Sequence, residues 1–242
     1  MSADDLRDRR APLEMSPEAF REAGHRLVDE IAAFLESLPR RPVTRDEAPS
    51  ALRSLLPAEL EDEGVPPGQL LAEAAPLLFD HSLLNGHPMF LGYITSSAAP
   101  IGALADLLAA AVNPNVGAWQ LSPLASEIEG QCIRWLAGLL GMAAGTEGLL
   151  VSGGNAANFA CFLAARRAKA GGDVRETGVH RGGPRLLVYA STETHTWIQK
   201  AADLFGHGTD SLRWIPVGDD LTIDVGALER RIEEDRREGH QP

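Results

Sequence analysis

Two short segments hold the residues best suited to chemistry. The first is Ser152-Gly153-Gly154-Asn155, with Asn158 one turn further on. It follows the apolar run Leu149-Leu150-Val151, read as a strand, and opens a helical pattern from about Ala156 to Ala170. Strand, glycine pair, polar residue and helix together make an arrangement that binds phosphate. Glycines let the backbone approach closely, and free amides at a helix N-terminus point at the anion. The spacing is neither GxGxxG nor GxxxxGKS/T. A tight βα turn with a capped helix would use the same residues with no ligand. The second segment is Ser191-Thr192-Glu193-Thr194-His195, at the carboxyl end of a strand read over Arg185 to Ala190. In a parallel sheet both loops fall on one edge, where α/β proteins bind ligands. A lone histidine at a helix start is usually a cap or a surface residue. Beside an anion cradle, its imidazole suits a flat, charged cofactor.

The rest of the chain must position these two loops. Residues 1–15 are charged and aperiodic and read as a loose tail. Ser16-Pro17-Glu18 is a helix start, and Phe20, Leu27, Val28, Ile31, Leu35 and Leu38 follow at helical spacing until Pro39 and Pro42. Ser50–Leu56 is a short helix, 57–68 a linker, and Gln69–Leu84 a helix ending at the turn Asn85-Gly86-His87-Pro88. Met89–Thr95 reads as extended. Pro100 and Ser122-Pro123 open two more helices, stopped by Asn113-Pro114 and by Gly141. From Leu149 onward strands and helices alternate: a helix through 196–205, a strand over Leu212–Val217, and a charged helix capped by Asp224 and running to about Glu238. That rhythm predicts an α/β layer with a parallel sheet. After the last helix another strand is due, and three strands alone would leave an unpaired edge. The chain is therefore expected not to complete its own domain.

Composition excludes several function classes. A net charge of −12 argues against a nucleic-acid backbone or an anionic membrane surface as partner. The N-terminus has no apolar signal-like region, and no run reaches the ~18 apolar residues of a membrane span, so a cytoplasmic location is expected. Cys132 and Cys161 sit inside apolar helical patterns and read as buried thiols, too few and too far apart for a metal site. Lysine is scarce: Lys169 and Lys200 stand against 20 Arg.

Four blocks in order carry a family resemblance. They are His87-Pro88-Met89-Phe90-Leu91-Gly92-Tyr93; Asn113-Pro114-Asn115; Ser122-Pro123 with Glu127-Ile128-Glu129 and Trp135-Leu136; and Glu147 through Asn158 with Ala164-Ala165-Arg166. Tyr189-Ala190-Ser191 through His195, with Lys200-Ala201, adds a fifth segment. Together they resemble the group II pyridoxal-phosphate (PLP) dependent amino-acid decarboxylases, over residues 16 to 242. The resemblance implies a fold-type I α/β architecture: an incomplete, mostly parallel sheet flanked by helices and preceded by an N-terminal helical segment. It divides the chain into a tail at 1–15, a helical dimerisation segment at 16–112, and the first part of the large PLP-binding domain at 113–242.

The same resemblance implies roles. Gly153, Gly154 and Asn155 would contact the cofactor phosphate. His195 would stack on the pyridine ring and serve catalysis. His87, Tyr93 and Ile94 would line the substrate side, across a dimer interface. Aromatic-acid members often carry a bulkier pair after this tyrosine than Ile94 and Thr95. The implied reaction is decarboxylation of an L-amino acid to an amine and CO₂. It needs a Schiff-base lysine, found in the family directly after a histidine, and an acid on the pyridine nitrogen; both lie beyond the matching region. Lys169 ends an Arg-rich helix, and Lys200 lies inside a helix with no histidine before it. The isolated chain is thus expected to be inactive, as half of a protein that completes as an intertwined homodimer or with a second chain. Competing readings are another fold-type I PLP enzyme such as an aminotransferase, and a non-catalytic binding or dimerisation module. A nucleotide-binding domain would want an acid at a strand end about 20 residues past the glycines; Asp173 lies there, but in a Gly-rich loop.

Overall fold

The computed structural model describes residues 14–59, 64–170, 172–179 and 183–242. Most of the tail at 1–15 and the middle of the 57–68 linker lie outside the described residues. Two compact units emerge, one ending at Asn113 and the other beginning at Pro114.

The first unit is helical. Helix α1 (Pro17–Ser37) starts where the sequence places it: Ser16 Oγ accepts the Ala19 N–H at 3.1 Å, and Pro17 occupies the first turn. A single 3₁₀ turn, Leu38–Arg40, ends it. Helix α2 (Pro49–Arg53) is short, and α3 (Pro67–His81) carries Pro76 in its interior. The sequence leaves the apolar stripe of α1 without an evident partner, but the structure gives it α3. Phe34 and Phe79 stack at 4.4 Å with their planes 9° apart. Arg41 caps that stack, 5.1 Å over the Phe34 ring. Its guanidinium donates to Asp80 at 2.7 Å and to Ser37 Oγ at 2.8 Å. The Arg41 hydrogen bond, outweighing partial desolvation, holds the Asp80 carboxyl below the ordinary carboxylate range. Helix α4 (Pro100–Val112) ends on Asn113, whose left-handed φ of 50° suits a C-terminal cap.

The second unit is the α/β part. Helix α5 (Pro123–Leu139) closes with Gly141 at φ 68°. Leu149–Val151 is not a strand. The Leu150 N–H that a ladder would use donates instead to Glu129 Oε1 at 2.8 Å, and no described strand lies alongside. Helix α6 (Gly154–Lys169) follows, then one turn, α7 (Val174–Thr177). Strand β1 (Val188–Ser191), helix α8 (Trp197–Leu204) and strand β2 (Leu212–Ile215) form a parallel βαβ unit. Val188 pairs with Leu212 and Ser191 with Ile215. Among the described residues the sheet thus has two strands rather than three. Helix α9 (Val225–Arg237) is capped by Asp224, whose carboxylate accepts the Ala227 N–H at 2.8 Å. Beyond it Gln241 makes one parallel bridge to Leu186, where the alternation calls for a strand.

The core of this unit is Ala190, Ile198, Ala202 and Leu212, with Phe162, Val188 and Trp197 packed on it. Small residues on α8 let it sit close to β1 and β2. A buried polar pin crosses the layer. The fully buried Asp235 of α9 accepts from Tyr189 of β1 at 2.9 Å, from Arg213 of β2 at 2.9 Å and from Arg231 at 3.1 Å. Cys132 is half-buried and Cys161 is exposed. The latter corrects the buried-thiol expectation. Two positions along a helix turn a side chain about 200°, away from the face on which Phe159 packs. Among the described residues, no helix is long and apolar enough to cross a membrane, and no cluster of His, Cys, Asp and Glu could hold a metal ion.

Candidate functional site

One open cleft in the second unit is lined by Ser152, Gly153, Gly154, Asn155, Ala156, Asn158 and Phe159 on one side, and by His195 and Trp197 on the other. The first group comes from the start of α6. Gly153 precedes the helix at φ 151° and ψ 174°, a region essentially confined to glycine. No side chain caps this helix end. The first bond into the helix is from Ala157 N–H to Gly153 O at 3.0 Å. The amides of Gly154, Asn155 and Ala156 precede it and have no helical acceptor. They supply the positive end of the helix dipole to the cleft. A Cβ built on Gly153 or Gly154 would meet nothing within 4 Å, so the space beside the backbone is open.

The second group comes from the end of β1. The chain leaves Ser191 in a tight turn. Thr194 N–H donates to Ser191 O at 2.9 Å, and the two hydroxyls meet at 3.1 Å. Thr192 N–H reaches across to Ile215 O at 2.9 Å, extending the parallel ladder by one bond. This turn delivers His195 to the start of α8. There its Nδ1 accepts the Trp197 backbone N–H at 3.2 Å. The sequence places Gly153, Gly154, Asn155 and His195 on one sheet edge, and they do line one cleft. The strand thought to lead into the glycines is absent, yet α6 still begins at that edge.

Sequence reasoning missed Phe159 and Trp197 as cleft residues. The available signal was weak: a tryptophan two residues past the histidine, and a phenylalanine one turn into the helix. Both also belong to an aromatic cluster. Phe159 meets Phe205 edge-on at 5.4 Å, and Phe162 meets Trp197 edge-on at 6.4 Å.

The three expected substrate-side residues belong to the first unit. His87 is buried, and its Nδ1 accepts the Met89 N–H at 3.0 Å. Tyr93 and Ile94 are almost fully exposed. Tyr93 takes a left-handed φ of 57°, so Met89–Thr95 is bent rather than extended. Neither lysine lines the cleft. Lys200 is exposed on α8, and Lys169 closes α6, roughly 22 Å from its N-terminus at 1.5 Å per residue.

Fold and cleft together define an α/β unit with an uncapped helix start facing an imidazole at the carboxyl end of a parallel strand. The profile of the pyridoxal-dependent decarboxylase conserved domain matches residues 49–242. The chain belongs to that family, whose cofactor is pyridoxal phosphate. It is 31% identical over 230 residues to an aromatic-L-amino-acid decarboxylase of Bacillus atrophaeus, covering 95% of this chain and 46% of that one. It is 27% identical to human histidine decarboxylase, over 94% of this chain and 36% of that one. Among solved structures, Catharanthus roseus tryptophan decarboxylase in complex with L-tryptophan superposes with a TM-score of 0.83 at 25% identity. That match covers 96% of this chain and 48% of that protein. Oryza sativa TDC with PLP and tryptamine gives 0.81 at 27%, covering 96% and 51%. These neighbours share the fold-type I architecture. The chain spans about half the length of the curated relatives it matches or less.

The cleft's own groups fit pyridoxal phosphate. Uncapped amides and the short side chains of Ser152, Asn155 and Asn158 suit a phosphate monoester, with open space where a Cβ would project. His195 and Trp197 offer flat faces for a ring.

Proposed function

We propose that this chain forms the phosphate-holding and ring-holding side of a cytoplasmic PLP-dependent enzyme that decarboxylates an L-amino acid to an amine and CO₂. The observation that supports it is the single cleft joining the uncapped start of α6 to His195. When bound, pyridoxal phosphate supplies the electron sink for the pair left behind as CO₂ departs. The amides of Gly154, Asn155 and Ala156 hold the phosphate without a lysine or arginine, using the helix end. Ser152, Asn155 and Asn158 add neutral donors. His195, tied at Nδ1, presents its ring to the cofactor plane and keeps water off that face. His87, Tyr93 and Ile94 line the substrate side in the assembled protein, through a homodimer whose N-terminal helical segments, 16–112, pack on each other.

The covalent lysine comes from polypeptide outside residues 1–242, further along the protein or in a second chain. The support is that Lys169 and Lys200 both stand away from the cleft, and that the relatives are about twice as long. Borohydride reduction after PLP loading, followed by peptide mapping, tests this. The chain alone should bind PLP, carry no pyridoxyl on Lys169 or Lys200, and release no amine from L-amino acids. Supplying polypeptide equivalent to the other half of the relatives should give pyridoxyl on a lysine of the added polypeptide and amine release. Pyridoxyl on Lys200, with amine production abolished by Lys200→Ala, would sink the proposal.

A further inference from the structure

We propose that Trp197 is a positioning residue for His195, setting which ring nitrogen carries the proton and how the imidazole stands relative to the phosphate cradle. Only its cofactor arm rests on the function proposed above. The first support is the backbone. Trp197 N–H donates to His195 Nδ1 at 3.2 Å. Only an unprotonated ring nitrogen can receive that bond, so the neutral imidazole carries its hydrogen on Nε2. Thr196, at the helix cap, makes no side-chain cap bond. The His195 ring therefore takes the capping role for α8, anchored just before the buried Ile198.

The second support is the side chain. The half-buried indole lines the same cleft as His195. It meets Phe162 edge-on, at 6.4 Å and 80°. Phe162 belongs to α6, whose first turn is the phosphate cradle. One residue thus touches both sides: its amide holds the histidine, and its indole is keyed to the cradle helix. A ring anchored at one nitrogen, beside a keyed indole, has little freedom left to lose when a flat ligand arrives. That lowers the ordering cost of binding.

The test uses the whole ¹⁵N-labelled chain with Trp197→Pro, Trp197→Ala and Trp197→Phe. Trp197→Pro removes the amide hydrogen at a first helical position that tolerates proline; Trp197→Ala keeps the amide and removes the indole; Trp197→Phe keeps an aromatic wedge. Imidazole ¹⁵N shifts are recorded without cofactor at about pH 8, above the ordinary histidine range. His195 is assigned by its loss in His195→Gln. PLP affinity is then measured by absorbance titration, with far-UV circular dichroism as the folding control. In the wild type, His195 should show the Nε2–H form. A folded Trp197→Pro should move it toward a mixture of tautomers. Trp197→Ala, which keeps the amide, should hold the Nε2–H form yet weaken PLP by roughly three- to tenfold, the equivalent of one aromatic edge contact. Trp197→Phe should restore most of that affinity. Wild-type shifts in a folded Trp197→Pro would overturn the proposal, and so would a folded Trp197→Phe that binds PLP as weakly as the alanine variant. Should the wild-type chain not bind PLP at all, the cofactor reading fails, while the ¹⁵N comparison still decides the role of Trp197.

Discussion

Replacing Asp235 by Asn should cost the second unit about 3 kcal/mol or more. The carboxylate is fully buried and takes hydrogen bonds from three side chains on three elements: Tyr189, Arg213 and Arg231. Arg213 is itself only 17% exposed. Asn can still accept at one oxygen, but it leaves the buried Arg213 guanidinium without a counter-charge. Breaking a buried pair on one side costs roughly 3–5 kcal/mol. Against a total stability of about 5–15 kcal/mol, that is a large share. The assay is equilibrium urea unfolding at pH 7, read by circular dichroism. A pH series adds an independent check. Burial pushes the Asp235 carboxyl up, but hydrogen bonds from Arg213, Tyr189 and Arg231 together outweigh it and hold the group below 3.8. A lowered folded-state value means stabilisation that is present above about pH 4 and lost as pH falls through that lowered value. The difference between wild type and variant should therefore be full at pH 5–7 and shrink in stronger acid. Tyr189 titrates at the other end. Burial, then its bond to Asp235, pushes its phenol up to about 12. Its contribution is complete below about pH 10 and fades only as pH rises through that raised value. A loss under about 1 kcal/mol at pH 7, or a difference unchanged in acid, would refute the pin.

Two other substitutions probe the cradle and the first unit. Gly153→Ala places a Cβ at φ 151°, where the cost is backbone strain rather than collision, because nothing lies within 4 Å. It should lower stability by about 1–3 kcal/mol or force the turn to relax, weakening PLP binding by about tenfold or more; thermal melts and PLP titration read the two effects. Arg41→Ala removes the Asp80 pair, the Ser37 bond and the cation over Phe34. For partly exposed groups this should cost about 1–2 kcal/mol in chemical denaturation, without changing PLP affinity.

Much of this architecture was legible because its determinants are local. Ser16-Pro17 and Asp224 carry their caps in their own side chains. Asn113 and Gly141 end helices through backbone angles that few other residues tolerate. The glycine pair and His195 line one cleft as the sequence suggests, although the strand read before the glycines is absent. What failed was non-local. Leu149-Leu150-Val151 has a strand's composition, but a strand exists only where a neighbour accepts its amides, and here Glu129 takes the Leu150 amide. The partner of α1 was hidden because Phe34 and Phe79 lie 45 positions apart. Trp197 was passed over because a tryptophan in an apolar pattern reads as core, and it does pack on the core.

The cleft and the exposed apolar surfaces point the same way. Leu149, Leu150, Leu139 and Leu140 of the second unit are each more than half exposed, as are Leu91, Tyr93 and Ile94 of the first. A parallel two-stranded sheet is too small to cover such faces. The groups that would hold a phosphate and a ring are nonetheless already set by bonds within the second unit: Gly153 by its φ, His195 by the Trp197 amide, and Trp197 by Phe162. On the function proposed above, cofactor binding would depend on these short-range contacts inside this unit, and the covalent lysine and substrate walls on polypeptide outside it. A chain built this way should hold pyridoxal phosphate before it can act on an amino acid. PLP titration of the chain alone, beside the amine assay of the assembled protein, separates those two steps. Amine release without added polypeptide would show that this division is wrong.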